Sequence, residues 1–500
     1  MTTAPSAVWV GPAQLRPSRL AAEFYRQEYT ELEDQLDRSG HELVVLGKLG
    51  RLFTGPFGSK LPASLYDTPN GVPLLRVQNI GDLFLDETDL ARIPLEVHED
   101  IHRSKLEPGD LALAKAGRLG ALAKIPAHIQ ECNITQHIIG VRVRADKVRG
   151  SYLAAFFLSR FGNFQLKRQG IGTLIKYLGI EETRAAKVAV PGRGVQDYIG
   201  AKVELAERCR AVSSRSWLAA TELLEAALGA PLTSETFEVK SASNVSGSGY
   251  EVTSIRPVAA LVSPARLVGA IGAQFFTPRR AKAILVIEQS GLRAKRLSML
   301  ADRFTKRVSA DEVQARGLSY IGLAQVDSST GYVSTAIDEQ PSSSSVCFGA
   351  RDILFSKLRP YLNKVAICPE HLEEAAGSTE LVTYRTKPGV DPYYLFFVLR
   401  SPLVLNQVID ITSGSTHPRV APDLIDHVLV PLAEEPVQKR IGRLARAALE
   451  LMRRASLLVE DAKADVEALV EGTLDVQAIL SGSVKAPAAD DIPELAKDGT

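Results

Sequence analysis

From Val195 onward the chain places apolar residues at helical spacing. Val195, Ile199, Val203 and Ala206 begin a stripe that Leu218, Leu223 and Leu224 continue. Residues 195–229 contain no proline, and Gly200 is the one glycine before the Gly229 stop. A second stripe, within residues 437–471, runs through Val437, Ile441, Leu444, Ala448, Leu451 and Leu458. Each stretch predicts a helix about 50 Å long at 1.5 Å per residue. That is long for a helix packed only on its own domain, and two such helices invite antiparallel coiled-coil pairing. An ordinary bundle face is the competing use of the same stripes.

The segments before these helices follow another pattern. Short β-rich runs such as VPLLRVQNI, DLALAK, HIIGVRVR and DILFSK sit between Gly, Pro and Asn turns. An apolar helix near YLAAFFLSRFGNFQLKRQG is interleaved.

The pattern repeats along the chain. AAEFYRQEYTELEDQLDRSGHELVVLGKLGRLF (21–53) parallels GAQFFTPRRAKAILVIEQSGLRAKRLSMLADRF (272–304). In the same order follow GVPLLRVQNI with GLSYIGLAQV, GDLALAKAGRLGALAKIP with ARDILFSKLRPYLNKVAICP, and YLAAFFLSR with YYLFFVLRS. GIGTLIKYLGIEETRAAKVAVP then matches SGSTHPRVAPDLIDHVLVP, and VQDYIGAKVELAERCRA matches VQKRIGRLARAALELMR. One short match is chance; a whole series in register is duplication. The expected fold is therefore α+β: two tandem mixed α/β domains, each followed by a long helix, the helices pairing antiparallel. The boundaries read as 1–194 for the first mixed domain and 195–230 for its helix. A Ser/Gly-rich linker spans 231–254, the second mixed domain 255–436 and its helix 437–475, before a small, polar tail at 476–500 expected to be disordered.

Length and charge narrow the class. At 500 residues the chain suits roughly two to four domains. A net charge of +1 neither requires nor excludes nucleic acid, so only a local basic surface is informative. Cys132, Cys209, Cys347 and Cys368 form no CxxC pair and no zinc spacing, which predicts a reduced, cytoplasmic protein without structural metal. The N-terminal residues lack a basic stretch leading into an apolar one, and no run of about 18 apolar residues predicts a membrane span.

The motifs nearest to catalytic ones are incomplete. TGPFGSKL (54–61) invites comparison with a phosphate loop, and Gly50 and Gly55 have the required separation. Pro56, however, stands where the lysine belongs, and Ser precedes Lys60. DPYY (391–394) approaches a methyltransferase tetrapeptide but lacks its second proline and leads into an apolar helix. APDLID has no downstream acid–Lys pair, and His137 and His417 stand alone. The reading that remains is binding. Cations cluster near turns: Lys115, Arg118 and Lys124; Arg160, Lys167, Arg168 and Lys176 beside Tyr177; Lys357, Arg359, Lys364 and Arg419. Residues 160–177 carry no acid. Such turns suit phosphates, and neighbouring Gln, Asn and Arg suit base edges. A solvated charged face is the bland alternative.

These motifs together resemble the specificity subunit of type I restriction–modification enzymes. The resemblance is carried by AEFY, GPFGSKL, GVPLLRVQNI, LEPGDLALAKAGRLGALAKIP, TQHIIGVRV and VAVPGRGVQDYIGAKV, and by DILFSKLRPYLNKVAICP and VLVPLAEEPVQKRIGRL in the second half. It covers roughly residues 15–475, and Gln196 and Gln438 match the family's glutamine before each helix. It implies a non-catalytic subunit whose two target-recognition domains each read one half of a bipartite, asymmetric site in double-stranded DNA. The helices would act as spacer and as docking surface for two methyltransferase (modification) subunits, which restriction/translocase subunits would join. The chain itself would need no cofactor, since SAM, ATP and Mg²⁺ belong to those partners; no membrane is implied. A related bipartite system, a non-specific coiled-coil scaffold and a fused single-chain modification enzyme are the alternatives.

On this reading the first recognition surface comprises Phe57, Ser59, Lys60, Arg76, Gln78, Asn79, Lys115, Arg118, Gln136, His137, Lys167, Thr173 and Lys176. The second comprises Gln325, Lys357, Arg359, Tyr361, Asn363, Lys364, Thr379, Ser415, Thr416, His417 and Arg419. FTKRVSADEVQARGL replaces GPFGSKL in the second half, so the halves are expected to read different sequences.

Overall fold

The structure is a computed structural model that describes residues 9–12, 15–16, 19–56, 61–87, 89–170, 176–237, 244–247, 250–253, 260–262, 273–334 and 340–496. It is α+β, with helices and short strands alternating along both halves. The chain folds into two units, one formed by Met1–Arg210 with Arg454–Thr500 and the other by Ala211–Arg453. Neither unit follows the expected boundary between domain and helix. Each takes a piece of both long helices together with one mixed domain.

In the first unit, Gly50–Thr54 pairs with Ile138–Val143, which pairs with Leu111–Ala114; Leu122–Lys124 and Asp82–Leu83 complete this five-stranded sheet. The second unit repeats the order with Ala301–Phe304, Leu381–Thr386, Ile353–Ser356 and Val365–Ile367. Leu43–Val45 pairs antiparallel with Lys187–Ala189, as Arg293–Arg296 does with Leu429–Leu432. Against each arrangement lies an apolar helix, Gly150–Leu158 or Pro392–Arg400, whose side chains are buried on every side. A helix without a polar face must sit inside a core. Each fully buried aromatic there, such as Phe156 or Phe396, contributes about 1.5–3 kcal/mol.

Buried polar links recur between the halves with the same partners. Gln196 donates to Pro191 O at 2.8 Å and accepts from Arg149 N; Gln438 donates to Ala433 O at 2.8 Å and accepts from Asp391 N. Gln165 closes on both backbone groups of Lys187, and Gln407 on both of Leu429. The Tyr152 hydroxyl donates to Ala189 O, as that of Tyr394 does to Pro431 O. The duplication thus extends to single hydrogen bonds.

The halves diverge in their second sheets. The first has the order Ala91–Ile93, Val72–Leu75, Cys132–Ile134, Lys105–Leu106. The second has Lys306–Val308, Ser345–Gly349, Glu374–Gly377, Ser319–Ile321. In both, the parallel pair (Val72–Leu75 with Cys132–Ile134, Ser319–Ile321 with Glu374–Gly377) lies within the sheet. The additional strand lies beside the earlier member of that pair in the first half and on the opposite side in the second.

The long helices are Arg193–Leu228 and Glu435–Glu471. The first ends where Gly229 takes a left-handed φ of 67° and the second where Gly472 takes 74°, a conformation that stops a helix at little cost to glycine. Within the first unit Lys202 meets Asp465 at 2.5 Å. Within the second, Ser213 donates to Ala448 O at 2.8 Å. The expected disorder of 476–500 does not hold for its described residues: Val476–Leu480 and Pro493–Ala496 are helical, and Ile492 and Leu495 are buried. Two apolar residues one helical turn apart are enough to anchor a polar segment. The expected linker 231–254 likewise contains the helix Ser234–Phe237, with Phe237 buried, and the antiparallel strands Asn244–Gly247 and Tyr250–Thr253.

Candidate nucleic-acid interface

In the first unit three chain segments meet at Lys115. Its amide donates to His137 O at 2.8 Å, its carbonyl accepts from Leu178 N at 2.8 Å, and Ala116 forms a bridge with Tyr177. In the second unit Lys357 does the same. Its amide donates to Glu380 O at 3.0 Å, its carbonyl accepts from Val420 N at 3.0 Å, and Leu358 bridges to Arg419. Both lysines follow a sheet strand that ends at the surface, so both half-buried side chains leave the sheet at equivalent points. By this register His137 corresponds to Glu380, and Tyr177 to Arg419.

Around Lys115, Gln136 contacts the His137 ring at 3.1 Å, and that ring lies 6.1 Å from exposed Tyr177. Lys176 reaches Glu23 at 3.2 Å, and Arg118 donates to Ile80 O at 3.2 Å while remaining solvent-facing. Lys167 is exposed on the helix Arg160–Arg168. Arg168 is turned inward: its guanidinium stacks 3.9 Å from the Phe24 ring centroid and pairs with Glu33 at 2.5 Å. Arg160 pairs with Glu467 and Glu471, and Lys124 with Glu207 at 2.6 Å. Those three cations are structural.

Around Lys357, Ser415, Thr416 and His417 are exposed in one turn, and Thr379 is exposed beside Glu380. Arg419 forks onto Glu380 at 2.8 and 3.1 Å, which holds that carboxyl below its usual range. Arg359 donates through its amide to Pro418 O at 2.7 Å and through its guanidinium to Thr416 O at 3.3 Å. Tyr361 is half exposed.

Several expected contacts are corrected. Asn79 is buried, accepting from Arg76 N at 2.9 Å and donating to the carbonyls of Asp86 and Asp89. It closes a turn instead of facing a base. Arg76 pairs with Asp89 at 2.9 Å in the same turn, and only Gln78, also held by Asp89, is exposed. Gln325 is buried and accepts from Gly322 N at 2.9 Å. The Lys364 ammonium points inward to Leu323 O and Val326 O, and desolvation lowers its pKa. Asn363 is tied to Arg400 O at 3.0 Å. Phe57, Ser59, Lys60 and Thr173 lie outside the described residues. Gly55, just before the first three in sequence, packs so tightly that a Cβ would stand 1.9 Å from Ile134 O. Gly55 therefore stands against the segment that delivers Gln136 and His137.

Tyr177 and Glu380 were missed as members of these junctions. Part of the signal was available in the repeat: aligning Lys115 with Lys357 aligns Tyr177 with Arg419, whereas His137 meets Glu380 only after a one-residue gap, which the backbone bonds of the two lysines reveal. Among the described residues no group of His, Cys, Asp or Glu is placed to hold a metal ion. No single helix among them is long and apolar enough to cross a membrane.

No family model and no curated protein matches the chain. Among solved structures it is similar to the S subunit of the type I restriction-modification system from M. genitalium, at 10% identity and a TM-score of 0.42. That similarity covers 87% of this chain and 96% of that one. The HsdS subunit from Thermoanaerobacter tengcongensis is similar at 15% identity and a TM-score of 0.29, over 87% and 97% of the two chains. A chain of a type I R-M system, solved for its complex assembly and conformational transition, is similar at 14% identity and 0.27, over 87% and 98%.

Proposed function

We propose that this chain is the DNA-specificity subunit of a type I restriction–modification complex, reading a bipartite, asymmetric site without itself catalysing a reaction. The observation that carries this reading is the pair of equivalent junctions. Each presents a lysine from a strand end, held by two backbone hydrogen bonds to two other segments. The side chains around the two lysines differ, His137 and Tyr177 against Glu380 and Arg419. Equal frames with unequal faces suit a protein that grips two stretches of backbone alike and reads unlike bases.

In this reading the long helices pair as an antiparallel coiled coil. The contacts of Lys202 with Asp465 and of Ser213 with Ala448 support that pairing. The rod separates the readers and offers docking surface to two methyltransferase subunits, and restriction/translocase subunits join that core. SAM, ATP and Mg²⁺ act on those partners.

Selection by the full chain, with its methyltransferase subunits, from a randomised duplex pool tests the proposal. The enriched sequences are expected to share two short, unlike blocks separated by a fixed spacer. An unenriched pool, with equal affinity for random and selected duplexes, would leave only the scaffold reading. Methyl transfer from labelled SAM by the chain alone would overturn its non-catalytic assignment.

A further inference from the structure

The loop after the second junction is built differently from its counterpart. In the first unit the two left-handed positions are Gly117 and Gly120, with φ of 74° and 90°. In the second they are Arg359 and Asn363, with φ of 46° and 50°. Left-handed backbone costs a side-chain-bearing residue and costs glycine nothing. Arg359 and Asn363 bracket a single 3-10 turn, Pro360–Leu362.

That turn is fixed from several sides. Arg359 N donates to Pro418 O, and Asn363 exchanges hydrogen bonds with the backbone and guanidinium of Arg400. Arg400 is 4% exposed and donates to the carbonyls of Asn363, Val365 and Ser328. Burial works against this guanidinium, and the three carbonyls, the Asp327 charge and the Trp217 and Phe396 rings offset it only in part. Its placement makes sense as the anchor of a loop that must not move. At the tip of this rigid turn stand two adjacent apolar side chains, Tyr361 at 50% and Leu362 at 38% exposure. An aromatic ring and an aliphatic side chain thus stand exposed on the turn that follows Lys357 and Arg359, cations that suit a polyanion and not an apolar protein face, in a junction whose third cation, Arg419, is paired with Glu380.

We propose that Tyr361 and Leu362 form a wedge that enters the duplex and unstacks one base step in the half-site read by the second unit. The inference rests on the DNA-reading function proposed above. Rigid apolar tips flanked by cations insert between base steps because the cations offset phosphate repulsion while the tip replaces lost stacking. Among the described residues the equivalent loop of the first unit has no such tip. It is glycine-flanked and carries exposed Arg118, so the wedge acts on one half-site only.

The test uses the full chain with its methyltransferase subunits and the duplex enriched from the randomised pool, with 2-aminopurine replacing adenine at each permitted position in turn. Apart from the adenines that the methyltransferase subunits themselves extrude, binding is expected to brighten the probe several-fold at one step of the second half-site and at none of the first. Tyr361→Ala with Leu362→Ala is expected to abolish the brightening while the first half-site is still bound. Because both tip residues are exposed, the double variant keeps its core, and continued binding of the first half-site reports its folding. Specific binding without brightening at any step would overturn the wedge and leave the DNA reading intact. So would brightening unchanged in the double variant. Loss of a methyltransferase subunit from the double variant, with brightening unchanged, would assign the tip to a protein interface and overturn the wedge as well. Failure of the pool to enrich any sequence would instead overturn the reading on which the wedge depends.

Discussion

Lys357 and Gln325 show how far a residue's role can be read from its type. Both lie in the second half, and both suit DNA on chemical grounds. Burial separates them, because Gln325 is 2% exposed and satisfies Gly322 N, whereas Lys357 leaves a strand end. No local pattern marks that difference, since Gln325 closes on Gly322 N just after the strand Ser319–Ile321, whose place is fixed by pairing with Glu374–Gly377, distant in sequence. Replacing Lys357 by Ala is therefore expected to weaken binding to every duplex and to reduce the salt slope by about 1. Replacing Gln325 by Ala is expected to leave that slope unchanged and to lower unfolding free energy by about 1–3 kcal/mol. Binding titrations at several salt concentrations, with denaturant melts, distinguish the two. A second residue-scale effect follows from Glu374. Hydrogen bonds from the Cys347 thiol and Lys306, together with the Arg316 charge, hold its carboxyl at about 2, against an ordinary value of 4.5. A depressed carboxyl stabilises the fold above its unfolded pKa, and that contribution is lost as pH falls from about 4.5 toward 2. Glu374→Gln is expected to flatten the acid limb of stability against pH, and an unaltered limb in the variant would count against the cluster.

At the scale of elements, the long helices were legible because their apolar stripes and glycine stops are local signals. The register in which the two helices would meet was not, because an apolar stripe does not specify it. One buried ion pair does carry that information. Lys202 and Asp465 are 9% and 16% exposed at the side chain, and meet at 2.5 Å. Desolvation works against both members: the hydrogen bond and charge of Asp465 outweigh it for the Lys202 ammonium and raise its pKa, whereas burial raises the Asp465 carboxyl and Lys202 offsets that only in part. Such a pair adds little net stability over an apolar pair but penalises every register that separates its members. Lys202→Ala alone is expected to destabilise by about 3–5 kcal/mol, since Asp465 is left buried without its cation. Lys202→Met with Asp465→Leu is expected to restore stability to within about 1 kcal/mol of the parent or beyond it. Denaturant unfolding of the three chains measures this. Equal losses in the single and double variants would show that packing, not charge pairing, sets the cost. The tail was misread at this same scale. Its composition is small and polar, and composition averages away the two residues, Ile492 and Leu495, that anchor it.

For the whole molecule, the duplication was the feature most fully written in the sequence, because ordered repeats survive where individual motifs drift. What the repeat leaves open is which differences matter. The shared set includes the Gln196 and Gln438 links, the Tyr152 and Tyr394 hydroxyls, and the backbone bonds of Lys115 and Lys357. These lie where each mixed domain meets its helix or frames its junction. The differing set includes His137 against Glu380, Tyr177 against Arg419, and the added strand at opposite edges of the two second sheets. If the shared set is frame and the differing set is reader, the mixed domains are interchangeable on their helices. Grafting residues 21–191 in place of residues 272–433 keeps every shared link, because each has its counterpart in the donor segment. On the function proposed above, the grafted chain, assembled with the methyltransferase subunits and offered the randomised pool, is expected to enrich duplexes whose two blocks are the same sequence, that of the original first half-site. The spacer is expected to stay the same, because both long helices are untouched. Loss of the first block, or a second block unrelated to the first, would mean that the readers depend on each other and that the shared bonds are not a frame.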